Sequence, residues 1–540
     1  MTAENMQSNE SNESLDASKY SYDIVPYPSH PFRQTHPERL HAISRMFGMS
    51  PAEITQCRVL EIGCAGGGNI IPMAETLPES QFVGIDLSQR QIESALSSVE
   101  KLGLTNIELK HLDVMDVDQS LGKFDYIICH GVFSWVPPDA QDKILAVCRD
   151  HLNPQGVALV SYNTLPGWRL RGAIRDMMSY HVRNLSDPTK KIQQARALLE
   201  FLASSVSAET GAYGKMIHSE LNLLKNQTDN YLYHDHLEMN NYQFYFHQFI
   251  EQANKHNLQY LAESHIATMW TGNFAKDVAQ TLERVAPDII QREQYADFVR
   301  NRMFRQTILC AKGTKLDRAL NENTLNGSWI NSPMRMIEKD PAKNFPENTV
   351  SFRNLQTNQG LNTSDPLMIT AIEYLGDQFP LAVSFDDLLA RVQTKAEELG
   401  NVEMSQLRRA MANNMIHLAV GGVVELSYTP NRFTREISVK PKTSGVARLQ
   451  AASVDRLTNA RHEIIKLDDL TRHIVTMIDG EKTHHEIRNG LKDMLHNGKL
   501  TMRKDGEPMP APNGEMLEKI ATEAVAKAMQ RLSKAAMLIS

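Results

Sequence analysis

The chain has 540 residues and a formal net charge of −7 at pH 7. That length outgrows one compact core and predicts several domains. The acidic balance argues against a general nucleic-acid binder, though not against a local basic patch.

Residues 1–18 have no apolar core. They read as a disordered tail rather than a secretory signal. No apolar run is long enough to span a membrane. The five cysteines include no C-x-x-C pair, which predicts buried free thiols in a reducing compartment.

"PYPSHPFRQTHPERL" spans Pro26 to Leu40. Its prolines bar a regular helix, so a shaped, extended segment is expected, either as packing or as a lid. "CRVLEIGCAGGGNIIPMAETLP" follows. Val59 to Ile62 suit a buried parallel strand. Gly63, Gly66, Gly67 and Gly68 make a tight turn, and Asn69 to Leu77 read as a helix. Glycine there lets the backbone come close to a ligand.

"FVGIDLS" gives a second strand ending at Asp86, about twenty residues on, where a ribose hydroxyl needs an acceptor. "IELKHLDVMD" gives a third, ending near Asp113, and "FDYIICHGVFSWVP" a fourth, with His130 at its carboxyl end. "GVALVSYNTLPGW" gives a fifth. Strands alternating with helices predict an α/β fold with a parallel sheet and its site at the strand ends. A dinucleotide enzyme also has glycines after its first strand, but more often as G-x-G-x-x-G than as "GCAGGG". Each aspartate has an alternative as a helix N-cap, and His130 as a core histidine.

A mostly helical insertion follows Trp168. In "YLYHDHLEMNNYQFYFHQF", His234, His236 and His247 invite a metal reading. No cysteine or clear acidic ligand accompanies them, so no metal is expected. The alternatives are a buried aromatic and polar network or a pocket wall made by Tyr231, Tyr233 and His234. The sheet is expected to finish after this insertion, with "LQYLAES" and then "MFRQTILCA" as strands.

An Asn- and Pro-rich connector leads to "SFDDLLARVQ", with a capping pattern at Ser384 and Asp387. The following helix, glycine turn and strand suit a winged-helix-like unit. Its basic face is limited to "QLRR", so protein docking is the preferred reading over DNA. A last small module has a capping box at Thr483 and Glu486. The expected boundaries are 1–18 tail, 19–168 core, 169–227 helical insertion and 228–312 completion of the sheet, then 313–365 connector, 366–445 winged-helix-like module and 446–540 small helical module.

The motifs "EIGCAGGG", "GIDLS", "LDVMD" and "FDYIICHGV", in this order, resemble class I S-adenosylmethionine (SAM)-dependent methyltransferases. Together with "YPSHPFRQTHPERL", "GVFSWVP", "NTLPGW", "YLYHDHLEMNNYQFYFHQF" and "RNRMFRQTILC", they resemble bacterial methyltransferases carrying a methyltransferase regulatory domain. That group includes rickettsial-type lysine methyltransferases of outer-membrane proteins. The likeness covers Ser18 to Ala311; beyond that it is one of architecture only.

The resemblance implies a class I methyltransferase Rossmann-like sheet with a helical insertion, plus C-terminal small α/β or winged-helix-like modules. It implies SAM as cofactor, contacted by Tyr22, Glu61, Gly63, Gly66, Gly68, Asp86, Leu87, Asp113, Val114 and Gly131. Tyr27, His130 and Tyr162 are the candidate catalytic residues. Trp135, Trp168, Arg169, Tyr231, Tyr233 and His234 are the candidate substrate contacts. Tyr22, Tyr27, Ser29 and His30 would close over the reacting groups. The implied partner is a protein substrate in the cytoplasm, of outer-membrane type, with a homodimer formed through the insertion. No N-P-P-Y tetrapeptide follows the fourth strand and no P-C nucleophile is present, which argues against nucleic-acid base methylation. A small-molecule methyltransferase and a non-catalytic SAM-binding scaffold are the alternatives.

Overall fold

The computed structural model describes residue 25 and residues 29–209, 211–339, 345–400, 403–504, 507–509 and 514–539. The expected tail, Tyr22 and Tyr27 lie outside the described residues.

Five strands run parallel: β1 (Arg58–Ile62), β2 (Gln81–Asp86), β3 (Ile107–His111), β4 (Phe124–Cys129) and β5 (Leu152–Thr164). Successive side chains on a strand face opposite ways. Leu60, Ile127 and Val160 accordingly enter one core, and Val59, Tyr126 and Leu159 the other. Helices Ile70–Thr76, Gln89–Leu102 and Pro138–His151 join the strands. The second of these starts on Ser88, whose side chain accepts from the Gln91 amide, and stops at Gly103 in the left-handed conformation.

The chain then leaves the sheet. Helices Trp168–Val182, Pro188–Ser205 and Gly211–Lys225 bury Ile174, Met178, Leu199 and Ile217 in a core of their own. It returns through a helical turn, Asp229–Leu232, and a π-helical turn, Tyr233–Leu237. Strand β6 (Gln243–Phe244) pairs with β5, and helix Phe246–Lys255 leads to β7 (Leu258–Glu263). Strand β8 (Phe304–Ala311) then slots between β5 and β7, antiparallel to both. The sheet order is β3-β2-β1-β4-β5-β8-β7, completed after the insertion as the motif order predicts.

A buried ion network fastens β8. Arg305, 1% exposed, lies 2.6 Å from Glu263, 3.0 Å from Glu293 and 2.8 Å from Asp297. Burial pushes the Glu293 and Asp297 carboxyls up, and the guanidinium pulls them back.

Beyond β8, helices Pro366–Gln378, Phe385–Leu399 and Met404–Val420 pack with a small sheet that contains Glu425–Ser427. Their core is continuous with one face of the main sheet. The last unit has a separate core under helices Gly445–Ala451, Asp469–Val475, His484–His496 and Glu515–Lys534. Ser384 caps its helix through the Asp387 amide, and Thr483 with Glu486 forms a reciprocal capping box. All five cysteines are buried and free. Among the described residues, no helix is long and apolar enough to cross a membrane.

Candidate functional site

The turn after β1 needs glycine for conformation and for space. Gly63 and Gly67 take φ values of 75° and 76°, which glycine adopts without strain. A Cβ on Gly68 would lie 2.4 Å from the Ser29 carbonyl oxygen, and one on Gly66 would lie 3.6 Å from the Ser29 Cβ. The turn is therefore roofed by the proline-rich stretch.

Asp86, at the end of β2, clasps two turns together. One carboxylate oxygen accepts from the Ala65 amide at 2.7 Å, the other from the Ser88 amide at 2.9 Å. The Leu87 carbonyl meets His111 Nε2 at 3.0 Å. Asp113 caps the short turn that begins at Val114, its side chain accepting from the Met115 amide at 3.0 Å. At the end of β4, the Gly131 amide donates to Ser161 Oγ at 2.8 Å. Among the described residues, a Cβ on Gly131 would meet nothing within 4 Å, so they leave space in front of this strand end. These residues follow the carboxyl ends of β1 to β4, where sheets of this kind hold their ligands.

Beneath the turn lies Glu61, 4% exposed. Its Oε1 accepts from Asn69 Nδ2 at 2.7 Å, while Oε2 has no hydrogen-bond partner among the described residues. Burial pushes this carboxyl up to about 7, with Asp86 adding to the rise and the Asn69 bond opposing it. An orphaned, buried carboxylate oxygen next to a glycine turn fits a cofactor that carries an amine. Asn69 Nδ2 also donates to Thr35 Oγ1 at 3.0 Å, and its Oδ1 accepts from the Phe32 amide at 2.8 Å. Ser29 Oγ accepts from the Gly68 amide at 2.6 Å.

The candidate catalytic residues separate. His130 is half-buried at the site, stacked on Phe32 at 4.3 Å between ring centroids. Burial lowers its pKa to about 4, helped by His265, so the ring is neutral near pH 7. Gln306 Nε2 donates to His130 Nε2 at 3.0 Å, which occupies the lone pair a base would use. Tyr162 does not join it. The ring is fully buried, stacked at 4.0 Å on Phe249, with its hydroxyl 3.0 Å from Thr307 Oγ1. Alternation on β5 turns Ser161 toward Gly131 and Tyr162 into the core.

The candidate substrate residues form two groups. Trp135 and Trp168 meet edge to face at 6.3 Å, and the Trp168 indole N–H is buried without a partner among the described residues. Arg169 is exposed beside them. Tyr231, Tyr233 and His234 sit at the base of the insertion. The Tyr231 hydroxyl accepts from Arg171 at 3.3 Å, and His234 Nε2 donates to the Val25 carbonyl at 2.6 Å. Tyr233 packs edge-on against His234 at 5.4 Å. The three histidines of the aromatic-rich stretch, His234, His236 and His247, have separate partners. His236 meets Glu220 at 2.8 Å, and His247 meets Gln294 at 3.0 Å.

Sequence reasoning passes over Asn69, Gln306 and His462. Asn69 carries a local signal, as the first polar residue after the glycine run. The other two carry none.

Three families match separate parts of the chain: a methyltransferase domain at residues 59–156, a predicted methyltransferase regulatory domain at 228–311, and a PKMT C-terminal winged helix domain at 440–537. The chain is 38% identical to the Rickettsia prowazekii protein RP789 over 90% of its own length and 88% of the other. It is also similar to the solved structure of PKMT2 from Rickettsia typhi, with 32% identity and a TM-score of 0.83 over 95% of this chain and 100% of that one. A second PKMT2 structure, in complex with AdoHcy, matches with 33% identity and the same TM-score of 0.83.

Proposed function

Because this chain belongs to the PKMT family of SAM-dependent methyltransferases, we propose that it transfers methyl groups to lysine side chains of a protein substrate. The observation that carries the reading is the clasped, roofed glycine turn with the orphaned Glu61 Oε2 beneath it.

SAM supplies a methyl group on a cationic sulfur, which departs as a neutral thioether. The chain's residues bind and align. Glu61 Oε2 takes the amine end. Asp86, at the end of the second strand, is the acceptor for the ribose hydroxyls. Asp113 and the Val114 backbone border the adenine side. The open space at Gly131 admits the methionyl part, and Phe32 stacked on His130 excludes water from it.

A lysine must arrive neutral. With an ordinary pKa of about 10.4, roughly one molecule in two thousand is neutral at pH 7. Desolvation between aromatic walls and a cationic neighbour both lower that value. Because His130 Nε2 is already occupied, the reading assigns no dedicated protein base. Alignment of acceptor, methyl and sulfur carries the rate. Trp135, Trp168 and Arg169 frame the acceptor entrance.

The family resemblance points to an outer-membrane protein as acceptor. Five buried, free thiols suit the cytoplasm. The exposed Tyr180 and Phe201 on the insertion, 67% and 63% accessible, support a homodimer through that face.

The test is methyl transfer from labelled SAM to protein fractions, outer-membrane proteins included, with mass spectrometry of the labelled site. Label on lysine is the expected result. Label on another side chain discards lysine. Cofactor binding without protein label moves the assignment to a small-molecule acceptor or a binding scaffold.

A further inference from the structure

A side chain of the C-terminal unit reaches Asn69, the residue that follows the glycine turn. His462 lies in the loop between the paired strands Arg456–Thr458 and Ile464–Lys466. It is 5% exposed and held at φ +60°. Its Nε2 stands 2.8 Å from Asn69 Oδ1. An amide oxygen only accepts, so the imidazole donates. The orientation of Asn69 is not free. The Phe32 amide also donates to Oδ1, while Nδ2 donates to Glu61 and Thr35.

The loop is clamped where it must be. Arg461 pairs with Glu425 at 3.1 Å and Glu463 at 3.2 Å. Arg33, in the roof segment, pairs with the same two acids at 2.6 and 3.1 Å and donates to the Arg461 carbonyl at 3.0 Å. Burial, with His36, Arg33 and Arg432 nearby, holds His462 well below the usual histidine range, so it stays a neutral donor. Glu61 Oε2 stands at the far end of these hydrogen bonds, without a partner among the described residues.

We propose that His462 is a positioning residue for cofactor binding, contributed by the C-terminal unit: it orients Asn69, and through Asn69 the Glu61 carboxylate. The inference rests on the reading of the glycine turn as the SAM site. It makes that site complete only when the C-terminal unit is docked.

The experiment measures AdoHcy binding by calorimetry and SAM-dependent kinetics, on the full chain, for wild type, His462→Ala, His462→Gln and Glu75→Ala. Histidine is several-fold favoured over most residues at φ > 0, so His462→Ala loses the ring and adds a small backbone cost; His462→Gln shares that cost, and the difference between the two variants isolates the hydrogen bond. Glutamine places an amide N–H near the imidazole Nε2 position. Glu75 accepts from the Gly445 and Val446 amides, docking the same unit elsewhere. The expected result is about a tenfold rise in AdoHcy Kd and in KM for SAM for His462→Ala, the size of one lost hydrogen bond. Meanwhile kcat and the KM for the protein substrate hold, His462→Gln recovers most of the affinity, and Glu75→Ala binds like wild type. Wild-type affinity in His462→Ala overturns the inference, as does an equal loss in Glu75→Ala, which would reduce His462 to domain docking. Wild type failing to bind AdoHcy removes the reading of the turn, and the inference falls with it.

Discussion

The Ser29 hydroxyl accepts a hydrogen bond from the Gly68 amide at 2.6 Å and so seats the roof segment on the glycine turn. The carbonyl of the same serine leaves no room for a side chain at position 68, where a Cβ would lie 2.4 Å from it. Gly68→Ala must therefore push the roof away, and AdoHcy affinity should fall by about tenfold or more. Ser29→Ala loses one bond without a clash, so its loss should be smaller. Calorimetric titration of both variants checks the order.

Asp86 accepts from two backbone amides, Ala65 and Ser88, that belong to different turns. Asp86→Ala leaves both donors without that acceptor and removes the proposed ribose contact. Binding of AdoHcy should fall by about a hundredfold, near 3 kcal/mol, as for the loss of charge-assisted bonds. Methyl transfer at fixed, low cofactor should disappear in parallel. Asp86→Asn, which keeps one acceptor oxygen, should fall between.

Glu61 sets a pH dependence with a definite sign. Its carboxyl is raised by burial from 4.5 to about 7 in the folded chain. The folded state thus keeps a proton that the unfolded chain releases above 4.5, so stability falls as pH rises from 4.5 to 7 and is level above that. The span is worth about 3 kcal/mol. On the proposed reading, in which Glu61 holds the cofactor amine, binding runs the other way, because the amine needs the ionised form. AdoHcy affinity should weaken by about tenfold per unit as pH drops below 7. Glu61→Gln should flatten both profiles, as read by denaturant melts and by calorimetry across pH 5.5 to 8.5.

Arg305 is the cation shared by Glu263, Glu293 and Asp297. Arg305→Met leaves three buried acids with Arg302 as the one paired cation among the described residues, 3.1 Å from Asp297 and 4.0 Å from Glu263. The expected loss is about 3–5 kcal/mol at pH 8 by equilibrium denaturation. Burial already raises Glu293 and Asp297. Their protonation should make the loss smaller at pH 5. A constant loss across that range would place the cost in packing instead.

The glycine turn, the aspartates at the ends of β2 and β3, and the alternating strands and helices were legible in the chain. Each is a local demand: a tight turn needs glycine, a buried strand needs apolar alternation, a cap needs an acceptor. These demands are met by neighbours a few residues apart, so they leave a pattern in the sequence. Even the late completion of the sheet could be read, because β7 and β8 each carry their own apolar run.

What the tertiary structure decided lies between distant residues. The period of β5 announces two faces, yet only docking of helix Phe246–Lys255 puts Tyr162 in the core and Ser161 at the site. Three aromatic-flanked histidines are equivalent in sequence, and packing gave each a different partner. Asn69 and His462 stand 393 positions apart. No local propensity links them. Their contact exists because two separately formed cores dock at one angle, and an Asn at one surface and a His at the other become partners only once both surfaces are shut from water.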